Sequence, residues 1–137
     1  MELRKARDKA LFDAYNKALS TISFSSQAEA VDYVRTHEAP RFYISPEFCS
    51  IVIGRMIRGE EPGIKGTLRI KKFRELYARF LVESSKPENE DMAAREICNI
   101  IVEQKAPEFY LNYRASAGII NAQKEKRIKE LRYGWIE

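Results

Sequence analysis

The side chains that could take part in acid–base, nucleophilic or metal chemistry are few and scattered in this sequence. It contains one histidine, His37, and two cysteines, Cys49 and Cys98. His37 stands beside a predicted helix end, where an imidazole acts more often as a cation than as a catalytic base. Both cysteines lie in apolar helical stretches, so we expect them to be small core residues. We also expect a reducing compartment, in which the two thiols stay free. We therefore expect neither a catalytic base nor a reactive thiol.

Motifs for binding metals and phosphates are also missing from the sequence. There is no Cys-x-x-Cys, no pair of histidines and no His-Glu-x-x-His, so we expect no zinc site. The loop GEEPGIKG at residues 59–66 has glycines but lacks the Gly-Lys-Ser or Gly-Lys-Thr of a Walker-type loop. Carboxylates are abundant, and their spacing singles out no catalytic pair. The sequence thus predicts a protein that is not an enzyme and that needs no cofactor.

The composition indicates a folded chain that is mildly basic. Its 137 residues are 45% hydrophobic and 32% charged, which suits a single domain with a buried core. No window approaches the roughly 18 apolar residues of a membrane span, and the N-terminal residues lack the apolar centre of a signal peptide. The net charge of +4 is compatible with a nucleic-acid partner but does not require one.

The elements that must position any functional side chain are predicted to be helices. Apolar residues at helical spacing predict six helices and no strand, at about 2–20, 26–40, 45–59, 67–83, 89–105 and 112–133. Ser26 with Glu29 forms a capping-box pattern, and Ser45 followed by Pro46 is typical of a helix start. Asn112 is a further predicted N-cap. The apolar stripe of the third helix consists of Phe48, Val52 and Met56 or Ile57, and the sixth helix carries Ile119, Ile120, Ile128 and Leu131. The predicted fold class is all-α.

One motif, Ala-Pro-x-Phe-Tyr, occurs twice in the chain. The segments APRFYIS (39–45) and APEFYLN (106–112) stand 67 positions apart, and each joins a helix to a following N-cap. The flanking apolar positions also correspond: Val34 with Ile101, Val52 with Ile119, and Ile53 with Ile120. We therefore predict a tandem duplication of a three-helix unit. The repeat units cover about 1–58 and 67–132, are joined by the loop 59–66, and pack as a compact six-helix bundle.

The repeated loops have a structural and a functional interpretation. In the structural interpretation, the phenylalanine of each loop packs into the core beneath the turn, and the tyrosine places its hydroxyl at the edge of that core. In the second, the aromatic loops and the C-terminal tail contact a partner, since aromatic residues and arginine are enriched at interfaces. The candidate protein contacts are Arg41, Phe42, Tyr43, Phe109, Tyr110 and Trp135. Position 108 is Glu where position 41 is Arg, so we do not expect both loops to recognise charge alike.

The segment from Arg41 to Met56 is similar to the second half of a helix-turn-helix DNA-binding unit. Ser45 would cap its helix, Glu47 and Ser50 would lie near the helix start, and Arg55 and Arg58 would reach phosphates. An ordinary helix hairpin is the alternative, because the connection 38–44 is longer than the usual turn. Cations also cluster in the fourth helix, which either follows phosphates or forms a solvated face. The candidate nucleic-acid contacts are Arg55, Arg58, Lys65, Arg69, Lys71 and Lys72. The mixed charges from Lys124 to Arg132 indicate a solvent-exposed helix or a subunit contact.

The charged first helix and the segments APRFYIS and APEFYLN resemble small helical proteins of tailed phages and mobile elements of Bacteroides-type gut bacteria, crAss-like phages included. The resemblance brings no catalytic or ligand residues. It implies a virion or mobile-element context. The function that we expect is a non-enzymatic virion component, such as a head–tail connector, a ring subunit or a capsid-associated subunit. Its partners would be other virion or mobile-element proteins in a homo- or hetero-oligomer. The alternative function is a helix-turn-helix-like DNA-binding protein, either a regulator or a packaging factor. Both place the protein in the virion or the host cytoplasm, with no membrane partner.

Overall fold

A computed structural model describes residues 2–133, and within this range the chain forms six α-helices and no strand. The helices are α1 (Glu2–Thr21), α2 (Gln27–Arg35), α3 (Pro46–Ile57), α4 (Thr67–Ser84), α5 (Ala94–Val102) and α6 (Tyr113–Tyr133). A short 3-10 helix, Pro87–Asn89, lies between α4 and α5. The predicted all-α class is confirmed for the described residues.

The helix starts follow the predicted capping chemistry at three places. The side-chain oxygens of Ser26, Ser45 and Asn112 accept hydrogen bonds from the backbone N–H groups of Glu29, Phe48 and Ala115, at 3.1, 3.2 and 2.7 Å. Each bond satisfies a first-turn donor that has no partner within the helix. These three residues therefore determine locally where α2, α3 and α6 begin.

Two helix boundaries differ in detail from simple expectation. The Glu29 carboxylate does reach back, but it accepts from the backbone N–H and hydroxyl of Ser25, one residue before Ser26. The α3 helix ends at Ile57, two residues before the predicted stop at Gly59, whose φ of +72° is a left-handed conformation that favours glycine after a helix.

The fifth helix is shorter than predicted, because it begins at Ala94 instead of near residue 89. Asn89 is buried, and its amide nitrogen donates to the backbone carbonyl of Glu83 at 2.8 Å. This bond ties Asn89 to the C-terminal end of α4, so the intervening residues form the 3-10 helix and a turn. The helical spacing of apolar residues could not predict this contact between a side chain and the backbone.

Cα packing divides the chain into two compact units. The first comprises α1, α2 and α6, and the second, Pro40–Ala106, comprises α3, α4 and α5. In the first, α1 packs on α2, and α6 packs on both; in the second, all three helices pack on one another. The boundaries of these units differ from those of the predicted repeats, 1–58 and 67–132. A repeat is defined by sequence and a compact unit by contacts, so the duplication stays a prediction.

Each unit has its own buried apolar residues. In the first unit they include Leu11, Tyr15, Val31, Val34, Phe109 and Ile120. In the second unit they include Phe42, Cys49, Val52, Ile53, Phe73, Leu76, Phe80, Ile97, Cys98 and Ile101. These residues come from all six helices and from both repeated loops, so each loop contributes directly to a core.

Several predicted apolar stripes are wrong in part. On α3 the inward residues are Cys49, Val52 and Ile53, whereas Phe48 is 38% exposed. On α6, Ile120 is buried, but Ile128 and Leu131 are exposed, which contradicts their assignment to a core stripe. The α3 helix is apolar on more than one side, and the packing of α1 beside α6 leaves Ile128 and Leu131 largely exposed. Helical spacing alone could not separate the inward side chains from the outward ones.

Candidate functional site

The two repeated loops are fastened to their units by equivalent hydrogen bonds. The backbone N–H of Phe42 donates to the carbonyl of Val102 at 2.9 Å, and that of Phe109 donates to the carbonyl of Arg35 at 3.2 Å. The two donors are 67 positions apart in the sequence, and so are the two acceptors. Each loop is thus held to the C-terminal end of a helix in its own unit.

The phenylalanines of these loops are buried, at 1% exposure for Phe42 and 5% for Phe109. The guanidinium of Arg79 lies 4.9 Å from the centre of the Phe42 ring and donates to the carbonyl of Lys105 at 2.6 Å. It also bonds the carboxylate of Glu75 at 2.8 Å. This burial favours the structural interpretation of both phenylalanines over a direct contact with a partner.

The tyrosines of the two loops have different environments. Tyr43 is half-buried, and burial raises the pKa of its hydroxyl, while the nearby Arg41 opposes this shift. The Arg41 guanidinium is 5.8 Å from the Tyr43 ring centre. Tyr110 is buried, and its φ of +57° is uncommon for a residue with a side chain. Only the first loop therefore presents a partly accessible Arg–Tyr pair. Trp135 lies outside the described residues.

The charged residues of α3 make contacts within the protein. Arg55 donates to the carbonyl of Pro62 at 3.1 Å, and Arg58 pairs with Glu60 at 2.6 Å. Glu47, near the helix start, pairs with Arg95 at 2.5 Å. The two arginines thus hold the loop after α3, and they would have to exchange these partners for phosphates to bind DNA.

The start of α4 is the more open basic surface. The side chains of Lys65 and Arg69 are exposed, and within residues 2–133 these side chains make no hydrogen bond or ion pair. Gly66 precedes the helix without a side-chain cap, and the first turn has no acidic residue. The unpaired N–H groups therefore add positive potential beside these cations. Lys71 is exposed and Lys72 half-buried, and both interact with other protein groups.

Sequence reasoning missed a groove between α1 and the second half of α6. It has a volume of about 490 Å³ and is lined by Phe12, Asn16, Lys124, Arg127, Ile128 and Leu131. The available signal was the pair Ile128 and Leu131, three positions apart among charged residues and beyond the last buried residue of α6, Ile120. That spacing predicts an apolar face of the helix, but it does not indicate that the face stays uncovered.

The two cysteines are buried in the second unit, on α3 and α5. A hydrogen bond with the Cys98 thiol and burial together raise the pKa of Cys49 above its ordinary value. A thiol with a raised pKa is a poor nucleophile at neutral pH. The same hydrogen bond lowers the pKa of Cys98, but both thiols are fully buried, and this burial favours a packing role for the pair.

The remaining findings concern metals, membranes and known proteins. Within the part of the chain that the structure describes, no group of three or more His, Cys, Asp or Glu residues is arranged to hold a metal ion. None of the helices described is both long and apolar enough to cross a membrane. Comparison with protein-family models, with curated proteins and with solved structures gives no match.

Proposed function

We propose that this protein is a non-enzymatic structural component that acts through protein–protein contacts. The observation that supports it is a set of large apolar side chains exposed on helices of both units. They are Phe48 and Ile51 on α3, Leu81 and Val82 on α4, and Ile128 and Leu131 on α6. Phe48 and Ile51, and likewise Ile128 and Leu131, are three positions apart, so each of these two pairs forms a local apolar face. Leu81 and Val82 are adjacent, so they project in different directions from α4. Faces of this kind are typical of surfaces that a neighbour covers in an assembly.

The setting that we propose is a phage virion, where the protein serves as a connector or ring subunit or as a capsid-associated subunit. This part of the proposal depends on the resemblance of APRFYIS and APEFYLN to small phage proteins. A duplicated chain suits such a role, because two related units offer two related contact surfaces. The equivalent bonds of Phe42 and Phe109 support the proposed duplication.

Sedimentation velocity over a range of protein concentrations, alone and with the other proteins of the particle, tests the assembly function. We expect discrete oligomers or a stable mixed complex for the wild type. The variant Ile51→Ser should weaken association, and Arg4→Ala/Lys17→Ala, which removes exposed charges only, should not. A protein that stays monomeric at high concentration with all partners present would contradict the proposal. Mass spectrometry of purified particles tests the virion setting separately.

The alternative function, DNA binding, is favoured by one observation: Lys65 and Arg69 stand exposed and without ion pairs at the start of α4. Fluorescence anisotropy with a labelled duplex across a salt series tests it. If DNA is the partner, Lys65→Ala/Arg69→Ala should weaken binding and reduce the salt slope by about 2, one for each phosphate contact. The control Arg4→Ala/Lys17→Ala has the same net charge and should leave the slope unchanged. Absence of binding at low salt would leave the assembly function.

A further inference from the structure

We propose that the groove between α1 and the second half of α6 binds an acidic amphipathic helix of a partner protein. The inference rests on the proposed assembly function, since it assigns one contact surface and the chemistry of its partner. Three features carry it: an uncovered apolar floor, an excess of cations along its walls, and the open length of α6 beyond its buried residues.

The floor of the groove is apolar and uncovered. Phe12 of α1 lies at its base, while Ile128 is 49% and Leu131 is 77% exposed. The two α6 residues are three positions apart, so they project from one face of the helix. A ligand with apolar residues at helical spacing would remove this surface from water, which is the main source of affinity for a helix in a groove.

The walls of the groove have an excess of positive charge. Lys5, Lys9, Lys126 and Arg127 line the adjoining surface, together with Asp8, Asp13 and Glu130. Asp8 is paired with Arg7 at 2.9 Å, and Asp13 is paired with Lys9 at 3.3 Å, so Lys9 is neutralised as well. The cations left over, Lys5, Lys126 and Arg127, outnumber the one remaining carboxylate, Glu130. Within residues 2–133, Lys126 and Arg127 make no ion pair. The charge that remains to be matched is therefore positive, and the complementary groups are carboxylates.

One cation is fixed in place at the groove. The Lys124 ammonium donates to the Tyr15 hydroxyl at 3.3 Å and lies 4.9 Å from the centre of the Tyr15 ring. A positioned ammonium loses less side-chain freedom when it pairs with a partner carboxylate. Lys124 therefore serves as a preorganised contact beside the apolar floor.

The apolar floor and the cationic walls together favour one class of partner over the others. A second copy of this chain would place like charges opposite one another, which disfavours self-docking at this face. Nucleic acid would match the cations but would leave Ile128 and Leu131 without apolar partners. A lipid surface would need a broader apolar face than these two side chains provide. An acidic amphipathic helix supplies both apolar residues and carboxylates at the required spacing.

The test uses the full chain and a labelled synthetic peptide of 20 residues, with Leu on one helical face and Glu on the others. Matched probes are a scrambled peptide of the same composition and a version with Lys in place of Glu. By fluorescence anisotropy we expect only the acidic amphipathic peptide to bind. Ile128→Ser/Leu131→Ser should weaken its binding about tenfold or more. Leu81→Ser/Val82→Ser removes two exposed apolar residues of α4 and should leave binding unchanged.

Several outcomes would overturn the inference: no binding of the acidic peptide at millimolar concentration, equal binding of the scrambled peptide, or no effect of the α6 variant. Tighter binding of phosphatidylserine vesicles or of a duplex DNA, lost in the same variant, would assign the groove to a membrane or a nucleic acid instead. If the peptide fails while the wild type still assembles in sedimentation, only the groove proposal is wrong. If the peptide binds while no assembly forms, the proposed function is wrong and the groove proposal stands.

Discussion

Among the described residues, Ser116 is a buried residue whose side-chain hydroxyl lacks a hydrogen-bond partner. The equivalent position in the proposed repeat, 67 residues earlier, is Cys49, which is also fully buried. Both positions are therefore buried sites for a small side chain. A thiol tolerates such an apolar site better than a hydroxyl does, so Cys49 is better accommodated than Ser116.

Ser116→Ala should therefore stabilise the protein. A buried polar group without a partner costs about 1–3 kcal/mol, and alanine also has the better helix propensity. We expect the free energy of unfolding, measured by urea denaturation, to rise by about 1 kcal/mol. The control Ser20→Ala removes an exposed hydroxyl that bonds the carbonyl of Lys17 and should change stability by only a few tenths of a kcal/mol. A clear loss of stability in Ser116→Ala would mean that the hydroxyl does have a partner.

A second residue-scale prediction concerns Glu47. Its own backbone N–H at the start of α3 and a hydrogen bond from Arg95 lower the pKa of its carboxyl group. The ionised form is thus favoured in the folded state, so its contribution to stability is present above the unfolded pKa and is lost as the pH falls through the folded pKa. We expect the thermal midpoint of Glu47→Gln to fall less steeply between about pH 5 and pH 3 than that of the wild type.

The control for this titration is Glu125→Gln, which changes an exposed glutamate on α6 that makes no ion pair within the described residues. Its thermal midpoint should follow the wild-type curve across the same pH range. Parallel curves for Glu47→Gln and the wild type would show that Glu47 titrates alike in the folded and unfolded states.

At the scale of the element, α3 and α6 begin in the same way. Each follows a repeated loop, and each has a side chain that accepts from the backbone N–H three residues later, Ser45 to Phe48 and Asn112 to Ala115. By contrast, α5 begins at Ala94, and the preceding Ala93 provides no side-chain cap; α5 is one of the two shortest α-helices described. The capped starts place the buried residues of α3 and α6 at a constant distance from the preceding loop.

Removal of either cap should weaken its helix start by a similar amount. Ser45→Ala and Asn112→Ala should each lower the free energy of unfolding by about 1 kcal/mol, because a first-turn N–H group loses its acceptor. Ser45→Asn and Asn112→Ser keep an acceptor and should restore most of the loss. Urea denaturation followed by circular dichroism at 222 nm measures both effects. If the alanine and the conservative variants are equally stable, the caps do not contribute.

At the scale of the whole molecule, the two compact units use the chain in an unusual order. The first combines α1 and α2 with α6 from the far end of the sequence, while the second takes α3, α4 and α5 in succession. If the chain is duplicated as 1–58 and 67–132, each unit contains two helices of one repeat and the third helix of the other. The contacts within the units are consistent with this exchange, because α1 packs on α2 as α4 packs on α5.

This arrangement predicts the behaviour of fragments cut at the loop before α4. The chains 1–66 and 67–137 should each be poorly folded, because α1 and α2 lack α6, and α4 and α5 lack α3. An equimolar mixture should recover helical circular dichroism, as each unit regains its missing helix. The fragment 40–106 contains all three helices of its unit and should be more helical alone than either half. Full folding of 1–66 alone would contradict the observed partition.

The sequence by itself determined the local structure of this protein. Caps at Ser26, Ser45 and Asn112, the stop at Gly59 and the helical spacing of apolar residues predicted the helices, because these signals act between residues a few positions apart. The repeated Ala-Pro-x-Phe-Tyr loops were also evident, and the burial of Phe42 and Phe109 agrees with their interpretation as core residues.

Only the tertiary structure decided which faces of those helices are used. It left Phe48 only partly covered, although its ring packs edge-on against Phe73. It also left Ile128 and Leu131 uncovered and engaged Arg55 and Arg58 in the loop after α3. The groove on α6 arises because α1, more than 100 positions earlier in the sequence, packs beside it. An apolar stripe specifies that a helix will be covered but not by which helix or how far along its length. That choice depends on contacts between distant parts of the chain, which no local pattern encodes.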